Sequence, residues 1–184
     1  MAKIILGLTG EIASGKGIAA KYIVEKYKAG SHRFSTMLRD ILDRLFLPQS
    51  RENMQLISLV LRQNFGEDIL ARVMAEEVKN DASNIVAIDG VRRLADIKFL
   101  REPPEFKLVY IETGIKKRYE RIVSRGENPD EKQKTFEEFQ KDHERDAELQ
   151  IRDLKNAADF AVDNNGSLED LYKQVDRVIG KLVE

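Results

Sequence analysis

Eight residues near the start of the chain, Gly10-Glu11-Ile12-Ala13-Ser14-Gly15-Lys16-Gly17, restrict the fold more than any other stretch of its 184 positions. They follow Ile4-Ile5-Leu6-Gly7-Leu8, a continuous apolar run of the kind found in a strand buried on both faces. They precede Ile18, Ala19, Tyr22, Ile23 and Tyr27, which recur at helical spacing over residues 16–28. Strand, glycine-bounded loop and helix in that order read as a phosphate-binding loop. Successive backbone N–H groups wrap a phosphate chain, and glycines at both ends allow the close approach. Lys16 then reaches the β- and γ-phosphates, and the N-terminus of the following helix adds positive potential. Gly17 stands where serine or threonine is usual. Its missing hydroxyl removes a ligand to Mg2+, so the metal is expected to be held through water and other groups.

The rest of the chain alternates strand and helix patterns. Residues 36–47 place Met37, Leu38, Ile41, Leu42 and Leu45 on one helical face, stopped by Pro48. A helical pair is expected over 51–64 and 67–80, with Gly66 between them. Residues 84–88 read as a second buried strand ended by Asp89-Gly90, and 94–101 as a helix broken by Pro103-Pro104. Residues 106–111 read as a third strand and 115–125 as a basic helix. The segment 126–150 is polar, with Phe136 and Phe139 its only large apolar anchors, and reads as a mobile excursion from the core. A short strand follows at 159–162. The turn at Asn164-Asn165-Gly166-Ser167 leads into a final helix capped by Ser167, with Asp170 three residues on. This alternation implies an α/β fold with a mainly parallel sheet, and the length implies one domain, or one core with an inserted lid.

Composition removes several function classes. The hydrophobic fraction of 42% supports a real core, and the 31 basic and 32 acidic residues nearly cancel. A net charge of −1 argues against non-specific nucleic-acid binding, so no obligate nucleic-acid partner is expected. The absence of cysteine excludes a disulfide framework and thiolate-bound metal, and suits a reducing interior. The N-terminal apolar run is too short for a signal peptide or membrane span, so a cytoplasmic protein without membrane association is expected. His32 and His143 stand apart from any ligand cluster and are not expected to bind metal. The Phe, Tyr and Leu stripes, Phe34 included, read as core.

Among the charged residues, Asp89 is placed for chemistry. Ligands of open parallel sheets sit beyond the carboxyl ends of the strands. A carboxylate there would face an Mg2+–nucleotide through water; the alternative is a simple Asp-Gly turn. Arg39, Arg92 and Arg93 lie in strand- or loop-exit regions. Arg118, Arg121 and Arg125 recur at i, i+3 and i+7 on one helical face, and Arg145 lies at the far end of the polar segment. Phosphoryl transfer needs cations on the transferring oxygens, and arginine suits their bidentate geometry. For each arginine the competing explanation is a solvated face paired to nearby carboxylates.

Together these residues resemble the adenylate-kinase-like nucleoside monophosphate kinases, whose loop commonly ends Gly-Lys-Gly as at Gly15-Lys16-Gly17. Ser35-Thr36-Met37-Leu38-Arg39 is similar to that family's Ser-Thr-Gly-Asp-Met-Leu-Arg element without its Gly-Asp pair. Asp89-Gly90-Val91-Arg92-Arg93 is similar to its Asp-Gly-Phe-Pro-Arg element, and Arg121-Ile122-Val123-Ser124-Arg125 to the start of its lid. A nearer likeness is to a branch described as adenylate-kinase-like or dephospho-CoA-kinase-like. It rests on Ile88–Arg92, on Ser124-Arg125-Gly126 with Lys134–Phe139, and on Ala158–Asn164 with Gly166-Ser167-Leu168. Phage-type deoxynucleoside monophosphate kinases share the general plan.

The resemblance implies a three-layer α/β/α domain with five parallel strands. Its core would comprise 1–34, 81–125 and 151–184, with a helical monophosphate-binding section at 35–80 and a lid at 126–150. It implies ATP and Mg2+ as cofactors, with Gly10, Glu11, Ile12, Ala13, Ser14, Gly15, Lys16, Gly17 and Ile18 on the ATP phosphates. Ser35, Thr36, Arg39, Asp89, Arg92 and Arg93 would bind the acceptor. Lys16, Arg92, Arg121, Arg125 and Arg145 would be catalytic, and Asp89 would hold the metal through water. The implied reaction is phosphoryl transfer from ATP to a small nucleotide acceptor, a nucleoside or deoxynucleoside monophosphate, by a monomer or homodimer. Dephospho-CoA kinases are similar at Gly7-Leu8-Thr9-Gly10 and at Asp163-Asn164 with Gly166-Ser167-Leu168, but carry Ser or Thr after the loop lysine. A nucleotide-binding switch or assembly ATPase is the alternative of another class.

Overall fold

The computed structural model describes residues 3–125, 131–142 and 146–183. The chain runs β1 (Ile4–Thr9), α1 (Lys16–Tyr27), β2 (Gly30–Arg33), α2 (Phe34–Arg44), α3 (Arg51–Phe65), α4 (Ile69–Asn80) and β3 (Ile85–Val91). It continues with β4 (Phe106–Glu112), α5 (Ile115–Arg125), α6 (Phe136–Asp142), α7 (Asp146–Ala157), β5 (Phe160–Asp163) and α8 (Leu168–Val183). The five strands form one parallel sheet in the order β2-β3-β1-β4-β5. β1 therefore lies at the centre, and successive connections leave it in opposite directions. That reversal opens a crevice at the carboxyl end of β1, where ligands of such sheets bind.

Both faces of the sheet are covered, which is why β1 is buried along its whole length. Side chains alternate between the faces. Leu6 and Leu8 join Val109, Ile111 and Val162 against Ala19 and Ile23 of α1 and Leu171, Val175 and Ile179 of α8. Ile5 faces the other way, with Val86, Ile88 and Leu108, against Leu38 of α2, Leu70 and Met74 of α4 and Leu154 of α7. Among the described residues no helix is long and apolar enough to cross a membrane.

β2 carries no strand signal in the sequence, since Gly30-Ser31-His32-Arg33 lacks any aliphatic residue; it sits at the sheet edge and is defined by parallel pairing to β3. Two local expectations are corrected. The second strand does not stop at Asp89-Gly90 but continues to Val91, with Gly90 at φ +87°. Only Leu94–Ile97 of the expected helix over 94–101 is helical, as a short 3-10 turn. There the Asp96 carboxylate accepts hydrogen bonds from the backbone N–H groups of Arg92 (3.0 Å) and Arg93 (3.1 Å). In the described part of the polar segment Phe139 of α6 is an apolar anchor, 1% exposed, packing beside Tyr119 and the Arg118 guanidinium; just beyond the segment α7 buries Ile151 and Leu154.

The cap of α8 forms as expected. Ser167 Oγ accepts from the Asp170 N–H (3.2 Å), and Asp170 Oδ2 accepts from the Ser167 N–H (3.1 Å). Ser167→Ala is expected to cost about 1 kcal/mol, read as a fall of about 3 °C in thermal midpoint by circular dichroism.

Candidate phosphate-binding site

The loop between β1 and α1 has a backbone that its sequence makes possible. Gly10 has φ +144° and Gly15 φ +103°, with Ala13 also left-handed at φ +59°. A Cβ at Gly10 would run into the Ile111 carbonyl oxygen and lie 2.8 Å from Ser14 Oγ, and one at Gly15 would overlap the Asn164 amide. These two glycines are required by both backbone and space.

The loop's carbonyls are held from behind by β4, α5 and the end of β5. Arg118 Nη1 donates to Ile12 O (3.3 Å), and Arg121 Nη1 lies 3.4 Å from both Ala13 O and Ser14 O. Ser14 O also accepts from Thr113 Oγ1 (2.9 Å) and Asn164 Nδ2 (2.8 Å). In a trans peptide the C=O and the following N–H point in opposite directions. Tying these carbonyls back turns the N–H groups of Ala13 and Gly15 the other way, as a phosphate cradle needs, while the Ser14 N–H closes the loop onto Glu11 O at 3.1 Å. Burial lowers the pKa of Arg121, which also donates to Asn164 O at 3.0 Å.

Lys16 Nζ lies over the loop, donating to Gly10 O (2.6 Å) and Glu11 O (3.0 Å). Glu11 is set between Arg118 (3.1 Å) and Arg152 (3.2 Å), which neutralise a carboxylate that would otherwise oppose an anion. Ser14 Oγ is buried with no hydrogen-bond partner among the described residues. An orphaned buried hydroxyl costs about 1–3 kcal/mol, and a phosphate oxygen or its water would satisfy it. The donor set and this orphan fit a phosphate chain.

Asp89 stands across from the loop at the carboxyl end of β3, nearly buried. Its Oδ2 accepts from Arg33 Nε (2.9 Å) and Nη2 (2.7 Å). Arg33 ends β2, and its Nη2 lies 3.7 Å from where a Cβ of Gly17 would sit. Gly17, Lys21, Arg33 and Asp89 line a cleft of about 330 Å³. Among the described residues no cluster of three or more His, Asp or Glu could hold a metal unaided. Asp89, already bound by Arg33, is the carboxylate here that would hold a hydrated Mg2+ through water.

The other expected site residues are placed less uniformly. Arg92 is exposed, with its guanidinium uncommitted among the described residues, while Arg93 pairs with Glu67 at 3.3 Å. Their turn is anchored by Asp96, whose Oδ1 meets Arg62 Nη2 of α3 at 2.8 Å in an almost fully buried pair. Ser35 and Thr36 lie in the first turn of α2, and Arg39 donates to Gln49 Oε1 at 2.8 Å. Ile18 is partly exposed and Arg125 ends α5. Arg118, expected on the same helical face as Arg121, is 1% exposed and serves the loop. Phe34 is core, as expected. His32 is flanked by Asp81 (2.8 Å) and Glu77 (3.4 Å). Arg145 and His143 lie outside the described residues.

Sequence reading missed Arg33, Arg62, Asp96, Thr113 and Asn164. Thr113 and Asn164 each directly follow a strand on the ligand-binding side, a position that could have marked them. Arg62 lies on the inward face of α3 near Ile57 and Leu61, a charge out of pattern on an otherwise apolar stripe.

Two solved structures share the fold over nearly their whole length. A shikimate kinase from Bacteroides thetaiotaomicron matches with TM-score 0.66 and 16% identity, over 98% of this chain and 99% of that one. A gluconokinase from Sinorhizobium meliloti matches with TM-score 0.59 and 14% identity, over 98% of this chain and 95% of that one. At such identities the likeness is one of fold. No protein-family model matches the chain. A UPF0200 protein of Thermococcus kodakarensis is 30% identical over 190 residues, spanning 97% of this chain and 100% of its own length. The chain therefore belongs to the UPF0200 family.

Proposed function

We propose that this protein transfers the terminal phosphoryl group of ATP to a small phosphorylated acceptor, a nucleoside or deoxynucleoside monophosphate. The observation that carries this reading is the phosphate loop itself. Its carbonyls are bound from behind by Arg118, Arg121, Thr113 and Asn164, and Lys16 lies over its mouth. The fold is shared with proteins named as small-molecule kinases, which supports the same class of reaction.

In this reading Gly10–Ile18 bind the ATP phosphates, and Lys16 neutralises charge on the transferred group. Arg92 and Arg125 supply further cations, as would Arg145, while Arg121 acts through the loop it braces. Ser35, Thr36, Arg39 and Arg93 belong to the acceptor's side. Mg2+, held by Asp89 through water, would offset the negative charge of the triphosphate. An acceptor phosphate oxygen bonds to the γ-phosphorus as its bond to the β-bridging oxygen breaks, leaving ADP. Positioning and charge do most of this work. The Asp89 carboxylate and its partner Arg33 give the chain charged groups for metal and acceptor without a loop hydroxyl.

The test is an acceptor screen with ATP and Mg2+ across all ribo- and deoxyribonucleoside monophosphates and dephospho-CoA, read by chromatography. Formation of ADP together with a phosphorylated acceptor is expected for at least one monophosphate. Inorganic phosphate as the sole product, unchanged by any acceptor, would overturn this reading in favour of an ATPase switch. Phosphorylated product from dephospho-CoA alone would move the activity to that substrate.

A further inference from the structure

In phosphate loops of the usual kind, the hydroxyl after the lysine and a carboxylate at a neighbouring strand end flank the same Mg2+. Here position 17 carries no side chain, and the space between it and the Asp89 carboxylate holds the Arg33 guanidinium. Nη2 is 2.7 Å from Asp89 Oδ2 and 3.7 Å from the position a Gly17 Cβ would take. Both Arg33 hydrogen bonds go to the same carboxylate oxygen. The guanidinium therefore lies against the first turn of α1, at ordinary contact distance from a Cβ at position 17.

We infer that Arg33 competes with Mg2+ for Asp89, so that metal-assisted nucleotide binding requires the Arg33–Asp89 pair to open. Two cations cannot share one desolvated carboxylate without repulsion, and Asp89 is mostly withdrawn from water while Arg33 is half exposed. Arg33 has room to move, since it lines the open cleft with Lys21 and Gly17. A released Arg33 would put its cation on the acceptor's side of the loop, where an anionic acceptor group could take it. Arg33 is thus a positioning residue: it sets how much metal the site requires. This inference rests on the reading of the loop as a nucleotide site.

The experiment titrates Mg2+ against binding of a fluorescent ADP analogue, with no turnover. An exposed or half-exposed ion pair is worth up to about 1 kcal/mol, so Arg33→Met is expected to lower the half-saturating Mg2+ roughly two- to fivefold. In an Asp89→Asn background the same replacement should leave the Mg2+ requirement unchanged, because the contested carboxylate is gone. Thermal midpoints of each variant confirm folding. An unchanged or raised Mg2+ requirement in Arg33→Met overturns the inference. So does an equal shift in the Asp89→Asn background, which would mean that Arg33 acts on the nucleotide directly. If the unaltered protein does not bind the analogue at any Mg2+ concentration, the nucleotide-site reading falls as well. Mg2+-dependent binding that Arg33→Met leaves untouched removes this inference alone.

Discussion

Lys16→Ala is expected to lower the rate of phosphoryl transfer by roughly a hundred- to a thousandfold, the scale for losing one preorganised charge at a developing anion. Lys16 Nζ already lies over the loop, bonded to Gly10 O and Glu11 O, so its amine is held in place before any phosphate arrives. A coupled assay of ADP release with the best acceptor checks this. Binding of the ADP analogue should weaken in the same variant, while the thermal midpoint changes little, because Lys16 bonds carbonyls of the loop and is not part of either apolar core cluster. A rate equal to that of the unaltered protein would remove the loop from the chemistry, whatever its shape.

Arg62→Ala has the largest expected effect on stability. It would leave Asp96, only 2% exposed, as a buried charge deprived of its guanidinium. Breaking one side of such a pair costs about 3–5 kcal/mol, a fall of about 6–20 °C in thermal midpoint for a chain of this size. Removing both partners with Arg62→Met and Asp96→Leu would relieve the stranded charge. It should not restore the protein fully, because the N–H groups of Arg92 and Arg93 would lose their acceptor. The acceptor's KM should therefore rise more than kcat falls in the double variant. Equal stability of Arg62→Ala and the unaltered chain in urea titrations would show that Asp96 is solvated in solution.

The contrast between what was legible and what was not follows from how each part is encoded. β1, α1 and the loop between them declare themselves because apolar run, glycines and helical spacing are local signals. β3, β4 and α8 are read for the same reason, and the α8 cap is written in two residues three apart. β2 has no such signal: Gly30-Ser31-His32-Arg33 becomes a strand through its partner β3, a long-range fact. The site divides similarly. Lys16 and Asp89 are legible from motif and strand-end position. The donors behind the loop arrive from residues 113, 118, 121 and 164, and periodicity places Arg118 on a helical face without saying that the face is buried. Arg33 and Arg62 are the hardest. Their roles come from single carboxylates 56 and 34 residues away in sequence.

Arg118 joins two parts of the molecule that would otherwise be separable. The edge of its guanidinium bonds Ile12 O in the loop and Glu11, while its face lies 5.8 Å from the centre of the Phe139 ring on α6. The loop and α6 thus share one side chain. Phe139→Ala would wet one face of Arg118 and slacken the loop beneath it. The packing of α6 and the geometry of the loop are therefore inherited together.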